Sequence, residues 1–116
     1  MARDPACLFC RIVAGTTPAE FLYRDEHTAV LRDVRPQAPF HALVIPVEHV
    51  RTLDDLREEH AALVAELVLR AVTLAREHGL AEGYRLVWNC GADAGQSVWH
   101  IHLHVLGGRA LAWPPG

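Results

Sequence analysis

Several features that would place this chain of 116 residues in a broad class are missing from it. No apolar stretch is long and free enough of charge to span a bilayer, and the first residues do not resemble an export signal. The formal net charge is −3 and no basic stripe is present, which argues against a binder of duplex nucleic acid. Repeats, linkers and low-complexity segments are also lacking. We therefore predict a cytoplasmic protein with one domain over residues 1–116, a small-molecule ligand, and neither membrane nor nucleic-acid partners.

Cysteine is scarce, since Cys7, Cys10 and Cys90 are the only three in the chain. An odd number of cysteines without an export signal indicates reduced thiols and not a disulfide framework. Cys7 and Cys10 nevertheless form a Cys-x-x-Cys pair, which is typical of half a metal site or of a redox motif. The redox interpretation has no support, because no βαβ pattern surrounds the pair.

Imidazole and apolar side chains alternate without a break from Trp99 to Val105. In an extended strand this alternation puts His100, His102 and His104 on one face and the apolar side chains on the other. Neighbouring imidazoles would then have Cα atoms roughly 6.5–7 Å apart, so that one can act on a reacting atom while the next handles a proton. A metal-binding strip, or polar residues on a half-exposed face, are the alternatives.

Apolar spacing and turn residues predict two helices and a set of strands. We expect a helix from Cys7 to Ala14 that Gly15 ends, and a long helix from Glu59 to Glu77 that Asp54 or Asp55 caps and Gly79 ends. The expected strands are 21–23 and 28–31 as a hairpin, 41–46, and 84–89, followed by a loop over 90–97 and the strand that contains the three histidines.

The long helix has a wider apolar surface than one contact with a sheet requires. Its polar residues fall on one narrow stripe. A symmetric homodimer that covers the rest of the apolar surface is therefore predicted. The residues of that apolar surface are Leu63, Val64, Leu67, Val68, Ala71, Val72, Leu74 and Ala75.

The segment His100–Leu106 matches the His-φ-His-φ-His-φ-φ signature of the histidine triad superfamily, where φ is an apolar residue. The resemblance extends over nearly the whole chain, and the Trp-Pro-Pro-Gly tail is specific to the nucleotide-binding branch of that superfamily. The other matching positions are Asp33, Pro36–Pro39, His41, Leu43–Pro46, His49, Gly83–Arg85, Gly95–Val98, Gly107–Arg109 and Trp113–Gly116.

This resemblance implies an α+β fold with an antiparallel five-stranded sheet, a short N-terminal helix and one long helix, the sheet being joined across a homodimer. It also implies a purine nucleoside phosphoramidase. Such an enzyme hydrolyses the P–N bond of adenosine or guanosine 5′-phosphoramidates to the nucleoside monophosphate and an amine, through a nucleotidyl-histidine intermediate. A purine nucleoside monophosphate or phosphoramidate is accordingly the expected ligand.

Hydrolysis of a phosphoramidate requires a nucleophile and a separate acid, because a P–N bond breaks readily only if the nitrogen receives a proton as it leaves. By resemblance, His102 is the nucleophile and His104 contacts the phosphate oxygens. His41 is implied as the proton-sharing partner of His104, and Ser97 as a donor to the phosphate or the leaving group. Without the resemblance, His41 and Ser97 would be read as a polar residue at a strand start and a turn residue.

The resemblance also implies a nucleotide-binding set. Asp33 would accept both ribose hydroxyls, Asn89 would contact the phosphate side, and Trp113 would reach the leaving-group side of the partner's site. Backbone N–H groups of Gly95, Gln96 and Ser97 suit the stabilisation of phosphate charge. The implied walls around the base are Phe9, Ile12, Val34 and Leu43, which on their own would be ordinary core residues.

Bacterial members of this superfamily that carry Cys-x-x-Cys bind zinc through residues that match Cys7, Cys10, His49 and His100. Two thiolates and two imidazoles make a closed tetrahedral site, so the zinc would be structural and no catalytic cofactor is expected. The alternative is a pair of buried reduced thiols beside a surface histidine.

Two other functions remain open. A dinucleoside polyphosphate hydrolase or nucleotidylyl transferase of the same superfamily is the first, although the transferases replace the third histidine, here His104, and the hydrolases lack the Trp-Pro-Pro-Gly tail. The second is a regulatory protein that mainly binds nucleotide.

Overall fold

Runs of β-branched and aromatic residues separated by Gly, Pro and Asp turns build the strands of this protein, and a computed structural model describes residues 3–116. Short 3₁₀ turns lie at Leu53–Asp55, Glu58–His60 and Ala92–Ala94. The helices and strands are α1 (Leu8–Ala14), β1 (Phe21–Arg24), β2 (Thr28–Arg32), β3 (Phe40–Pro46), α2 (Ala61–Glu77), β4 (Tyr84–Trp88) and β5 (Leu103–Gly107).

The five strands form one sheet in the order β1-β2-β3-β5-β4, and each neighbouring pair is antiparallel. All seven residues of β3 are buried, as expected of the central strand. β3 pairs with β5 so that Leu43 lies opposite His104 and His41 opposite Leu106. The expected α+β architecture with one short and one long helix is confirmed.

The two helices cover opposite faces of the sheet, because side chains alternate along each strand. On β3, Val44 packs in the core under α2, together with Leu67 of that helix. The neighbouring residues Leu43 and Ile45 belong instead to the apolar cluster under α1. His41 shares this second face by its register on β3. The short helix α1 therefore lies on the same side of the sheet as the histidines.

The C-terminal ends of both helices agree with the predicted glycines, but the N-terminal end of α2 does not agree with the predicted aspartate cap. Gly15 and Gly79 follow the two helices with positive φ angles of 83° and 70°. The prediction that Asp54 or Asp55 caps the long helix is wrong. Asp55 accepts hydrogen bonds from the backbone N–H and hydroxyl of Thr52 at 3.0 Å each, which closes a separate 3₁₀ turn. A second such turn follows, so α2 begins only at Ala61.

The predicted strand through all three histidines is shorter than expected, since β5 begins at Leu103. The ladder between β3 and β5 stops at the pair of Val44 and Leu103, because Pro46 has no N–H to donate and the N–H of Ile101 donates instead to the carbonyl of Val50 at 2.8 Å. Ile101 still packs under α2, as the alternation predicts. Trp99 does not. Its side chain is 36% exposed and lies under the guanidinium of Arg51.

Within residues 3–116, neither helix combines the length and the apolar character needed to cross a bilayer.

The core under α2 gives a direct test of this packing. Val44→Ala should lower the free energy of unfolding by about 2 kcal/mol, because Val44 is 0% exposed and its truncation leaves a cavity. The matched control is Val34→Ala, at a side chain that is 90% exposed, which should change the value by less than about 0.5 kcal/mol. Urea unfolding followed by circular dichroism measures both. Equal losses in the two variants would contradict the packing described here.

Candidate active site

The ring of His102 is held in one tautomer by the backbone. Its Nδ1 lies 2.8 Å from the carbonyl oxygen of His100, and since a carbonyl only accepts, Nδ1 carries the proton. Nε2 is then left with a free lone pair. Burial of the ring lowers the pKa of His102 below its ordinary value, although the bond to His100 opposes this. The imidazole is therefore neutral at pH 7 and offers Nε2 as a nucleophile.

A second chain of hydrogen bonds joins His41 and His104. The backbone N–H of Gln37 donates to Nδ1 of His41 at 3.0 Å, so in the neutral ring the proton lies on Nε2. Nε2 of His41 then donates to Nδ1 of His104 at 2.8 Å. The remaining proton of a neutral His104 must lie on its Nε2. The direction of the whole chain is thus set by one backbone amide.

Burial keeps this pair uncharged. Burial, together with the neighbouring imidazoles of His102 and His41, lowers the pKa of His104 to about 4. Burial also lowers the pKa of His41, against the carboxylate of Asp33 which raises it. Because both rings are neutral, His104 can donate a hydrogen bond through Nε2 without the pair holding a charge.

Asp33 follows β2 directly and brings a carboxylate to the histidines. Its Oδ1 accepts from the backbone N–H of Arg35 at 2.8 Å, which fixes the side chain, and its Oδ2 lies 3.3 Å from Nε2 of His41. The residue predicted to bind ribose is therefore next to the pair predicted to handle the phosphate. Asp33, His41 and His104 also have side chains of the kinds that bind metals. The contacts of His41 with His104 at 2.8 Å and with Asp33 at 3.3 Å account for their positions.

The loop between β4 and β5 is shaped by two of its amides. The side chain of Asn89 donates to the carbonyl of Ala94 at 2.7 Å. The buried side chain of Gln96 donates to the carbonyl of Arg51 at 2.9 Å and accepts from the N–H of Gly91 at 2.9 Å. Both side chains therefore hold the loop in shape. The backbone N–H of Gln96 is occupied too, since it donates to the carbonyl of Gly91 at 3.1 Å, so Gln96 has no donor left for a phosphate, contrary to the prediction.

Gly95 and Ser97 lie at the surface of the same loop. Gly95 has a φ of 85°, which glycine adopts without strain. Ser97 is exposed. The N–H of Gly95 is occupied, since it donates to the carbonyl of Ala92 at 3.0 Å. The loop therefore presents the hydroxyl of Ser97 at its surface, in a groove that His49 also lines.

The predicted base-binding walls divide into two groups. Phe9, Ile12 and Leu43 are buried together under α1, and the Phe9 ring lies edge-on to His102 with 5.2 Å between centroids. Val34 is 90% exposed and Trp113 is 81% exposed, so the structure does not bring either one into contact with that cluster. Both lie in segments without regular structure, after β2 and in the C-terminal tail.

The four predicted metal ligands come together at the start of α1. Nδ1 of His100 lies 3.3 Å from Sγ of Cys7, 3.6 Å from Sγ of Cys10 and 3.2 Å from Nδ1 of His49. A tetrahedral zinc ion with ordinary bond lengths separates its nitrogen ligands by about 3.3 Å and a nitrogen from a sulfur by about 3.6 Å. The residues present therefore fit zinc in both number and spacing.

The electrostatics of this cluster also suit a cation. Nε2 of His100 lies 2.8 Å from the carbonyl of Pro46, so the proton is on Nε2 and Nδ1 faces the thiols as a free ligand atom. Burial lowers the pKa of His100 to about 4 and raises the pKa of Cys7. A divalent cation would offset the cost of ionising the buried thiol.

Two positioning contacts were not predicted from the sequence. One is the N–H of Gln37 on His41, and the other is Arg109, whose guanidinium donates to the carbonyl of Gln37 at 2.9 Å. In the sequence, residues 36–39 are distinguished only by the family resemblance. Their one usable signal is a Gln between prolines, which leaves its N–H without a ladder partner.

The comparisons with known proteins agree with this geometry. Residues 6–111 match the family model described as the scavenger mRNA decapping enzyme C-terminal binding region. A HIT-like protein of Synechococcus elongatus is 47% identical over 109 residues, which is 94% of this chain and 96% of that protein.

Solved structures give the same result. The crystal structure of a HIT family hydrolase from Legionella pneumophila has 49% identity and a TM-score of 0.93, over 95% of this chain and 99% of that one. A zinc-bound histidine triad family protein from Mycobacterium smegmatis has 41% identity and a TM-score of 0.77, over 90% and 76% of the two chains. The extent and identity of these matches show that the chain belongs to the histidine triad (HIT) family.

Proposed function

We propose that this protein is a purine nucleoside phosphoramidase that uses His102 as its nucleophile. The observation that carries the proposal is the bond from Nδ1 of His102 to the carbonyl of His100, which leaves Nε2 unprotonated. The similarity to a HIT family hydrolase of 49% identity supports hydrolysis in general. The phosphoramidate substrate follows from the resemblance of the tail and the site residues.

In the first step, Nε2 of His102 forms a bond to the α-phosphorus and the P–N bond breaks. The nitrogen leaves as an amine and requires one proton. The imidazolium form of His104 supplies it from Nε2 and is left as a neutral imidazole. A bound phosphate anion would raise the pKa of His104 from its low value in the free site, so substrate binding itself favours the protonated donor.

In the second step, water attacks the same phosphorus and the bond to His102 breaks. The water gives up one proton as it attacks, and His104 takes it back, so the site ends each turnover with the protons it had at the start. The hydroxyl and the backbone N–H of Ser97 stabilise the charge on the phosphate oxygens in both steps. Asp33 binds the ribose hydroxyls, and Phe9, Ile12 and Leu43 lie along the base.

Two alternatives are kept. A regulatory protein that binds nucleotide without needing turnover would use the same ribose and base contacts. A dinucleoside polyphosphate hydrolase or nucleotidylyl transferase would use the same nucleophile on a P–O bond, so the identity of the leaving group separates it from a phosphoramidase.

We expect His102→Ala to lower kcat/KM for adenosine 5′-phosphoramidate by about a thousandfold or more, because no other group takes over the attack on phosphorus. Release of AMP, measured by chromatography, gives the rate. His27→Ala is the control, since His27 lies on the exposed turn between β1 and β2 and should leave the rate unchanged. Faster cleavage of diadenosine tetraphosphate than of the phosphoramidate would favour the alternative enzyme.

We further propose that Cys7, Cys10, His49 and His100 hold a structural zinc ion. The similarity to a zinc-bound histidine triad protein and the spacing of the four ligand atoms support this. When bound, the ion would supply no chemistry to the reaction, since all four positions of a tetrahedron are filled by protein. It would join α1 to the segment that carries His102.

The protein purified without a tag or chelator should contain about one zinc ion per chain, as measured by inductively coupled plasma mass spectrometry. Cys7→Ser and Cys10→Ser should each lose most of it and melt at a lower temperature. Cys90→Ser is the matched control, because Cys90 lies outside the cluster. Far less than one zinc ion per chain in the wild type would contradict the site.

A homodimer is part of the proposal. Four apolar residues of α2, Leu63, Val64, Val68 and Val72, are only half-buried, and Leu69 is 64% exposed. β4 lies at an edge of the sheet, where a second copy could continue the hydrogen-bond ladder. Trp113, with its large exposed fraction, would then have a partner surface to contact.

Sedimentation equilibrium at micromolar concentration should therefore give twice the mass of the chain. Replacing Leu69 by Glu puts a charge on the apolar surface of α2 and should shift the equilibrium toward monomer. Leu8→Glu, at an exposed position on α1, is the control and should not. A monomeric wild type would overturn the dimer while leaving the chemistry of the site unaffected.

A further inference from the structure

A groove of about 310 Å³ lies next to the loop that carries Ser97, at the N-terminal end of α1. This volume is at the small end of ligand sites, and it suits a group of amino-acid size. Ser97 lines the groove and also belongs to the loop proposed to bind phosphate. The two sites are therefore adjacent. Other lining residues are Leu8, Arg11, His49, Arg51 and Trp99.

Arg51 gives the groove a cation that no carboxylate neutralises. None of the ion pairs between residues 3–116 involves this side chain. Its guanidinium lies over the ring of Trp99, 4.5 Å from the centroid, which orients it without neutralising it. The backbone of Arg51 is also fixed, because its carbonyl accepts from the buried side chain of Gln96.

The charge of the groove is opposite to that of the whole chain. Arg11 adds a second cation, held in place by donating to the carbonyl of Ala6 at 2.9 Å. Asp4 is the one acidic residue in the lining, and its Oδ1 is engaged by the N–H of Ala6 at 2.9 Å. Two arginines against one aspartate make the groove basic on a protein with a net charge of −3.

The geometry of the proposed reaction directs the leaving group toward the protein surface near this groove. In-line displacement puts the leaving nitrogen on the side of phosphorus away from the attacking Nε2 of His102. His102 is buried and Ser97 is exposed, so a leaving group that passes Ser97 reaches the protein surface. Because Ser97 also lines the groove, such a leaving group would meet the groove next to the Ser97 hydroxyl.

We propose that the groove is a subsite for the leaving amine, and that Arg51 binds a carboxylate on it, as in an amino acid joined to the nucleotide through its α-nitrogen. The inference rests on the phosphoramidase function proposed above and names the class of leaving group. The planar guanidinium can donate two parallel hydrogen bonds to a carboxylate, which suits it better than a lysine for this purpose. No step is added to the reaction: the P–N bond breaks and the amine takes its proton as before.

The test compares two substrates that differ only in this charge. Adenosine 5′-phosphoramidate is linked through nitrogen to alanine in one and to alaninamide in the other, and kcat/KM is measured for both. Arg51→Gln should lower kcat/KM for the alanine adduct by about three- to tenfold, mostly through KM, because an exposed ion pair contributes modestly. The alaninamide adduct should change by less than about twofold, since it offers no charge to Arg51.

Three comparisons complete the design. Arg51→Lys keeps the charge and should retain part of the selectivity for the alanine adduct. Arg57→Gln is the matched control, because this exposed arginine donates to the carbonyls of Asp54 and Leu56 and is absent from the groove. Added salt should reduce the selectivity of the wild type and leave that of Arg51→Gln unchanged.

The outcomes separate this inference from the function on which it rests. If the wild type cleaves neither adduct, the phosphoramidase proposal fails and the subsite fails with it. If both adducts are cleaved and Arg51→Gln alters neither, or alters both equally, the subsite is overturned while the phosphoramidase stands.

Discussion

The pairing of β3 with β5 is the constraint on which the site depends. The antiparallel register puts Leu43 opposite His104, so His41, two residues earlier on the same face, lies close enough to bond His104 at 2.8 Å. The same pairing ends at Val44 and Leu103, two residues before β3 ends at Pro46. Beyond that point the backbone of His100 is free of the ladder, and its carbonyl can turn to hold the ring of His102. One strand pair thus provides both a proton-sharing contact and an oriented nucleophile.

Burial lowers the pKa of these histidines, and hydrogen bonds give each ring its own tautomer. Desolvation is the largest cause of the lowered pKa of His41, His100, His102 and His104. All four rings are therefore neutral near pH 7, and a neutral imidazole has one donor and one acceptor nitrogen. In three of the rings a backbone group decides which nitrogen carries the proton: the N–H of Gln37 for His41, and the carbonyls of Pro46 and His100 for His100 and His102. The His41 ring decides it for His104.

The sequence predicted the features of this protein that depend on hydrophobic periodicity and on glycine at helix ends. Periods of 2 and 3.6 residues predict the strands and the face that the histidines share. The conformational freedom of glycine predicts the helix ends. The alternation puts Trp99 on the same face as Ile101 and Leu103, but the strand does not begin until Leu103 and Trp99 lies outside the core. Asp55 was assigned as a cap for α2, yet it bonds Thr52 in a turn of its own. The hydrogen bond from Gln37 to His41 could not be predicted, because every residue except proline has a backbone N–H and the sequence does not show which one will bond a side chain.

His100 connects the two halves of the site through three different atoms. Nδ1 faces the thiols of Cys7 and Cys10, Nε2 is held by the carbonyl of Pro46, and the backbone oxygen holds Nδ1 of His102. A zinc ion bound by this ring would therefore fix the peptide that sets the tautomer of the nucleophile, without touching the substrate. Its influence on catalysis would be one of position. The first histidine of the triad thus contributes through its main chain to the reaction that we propose for the second.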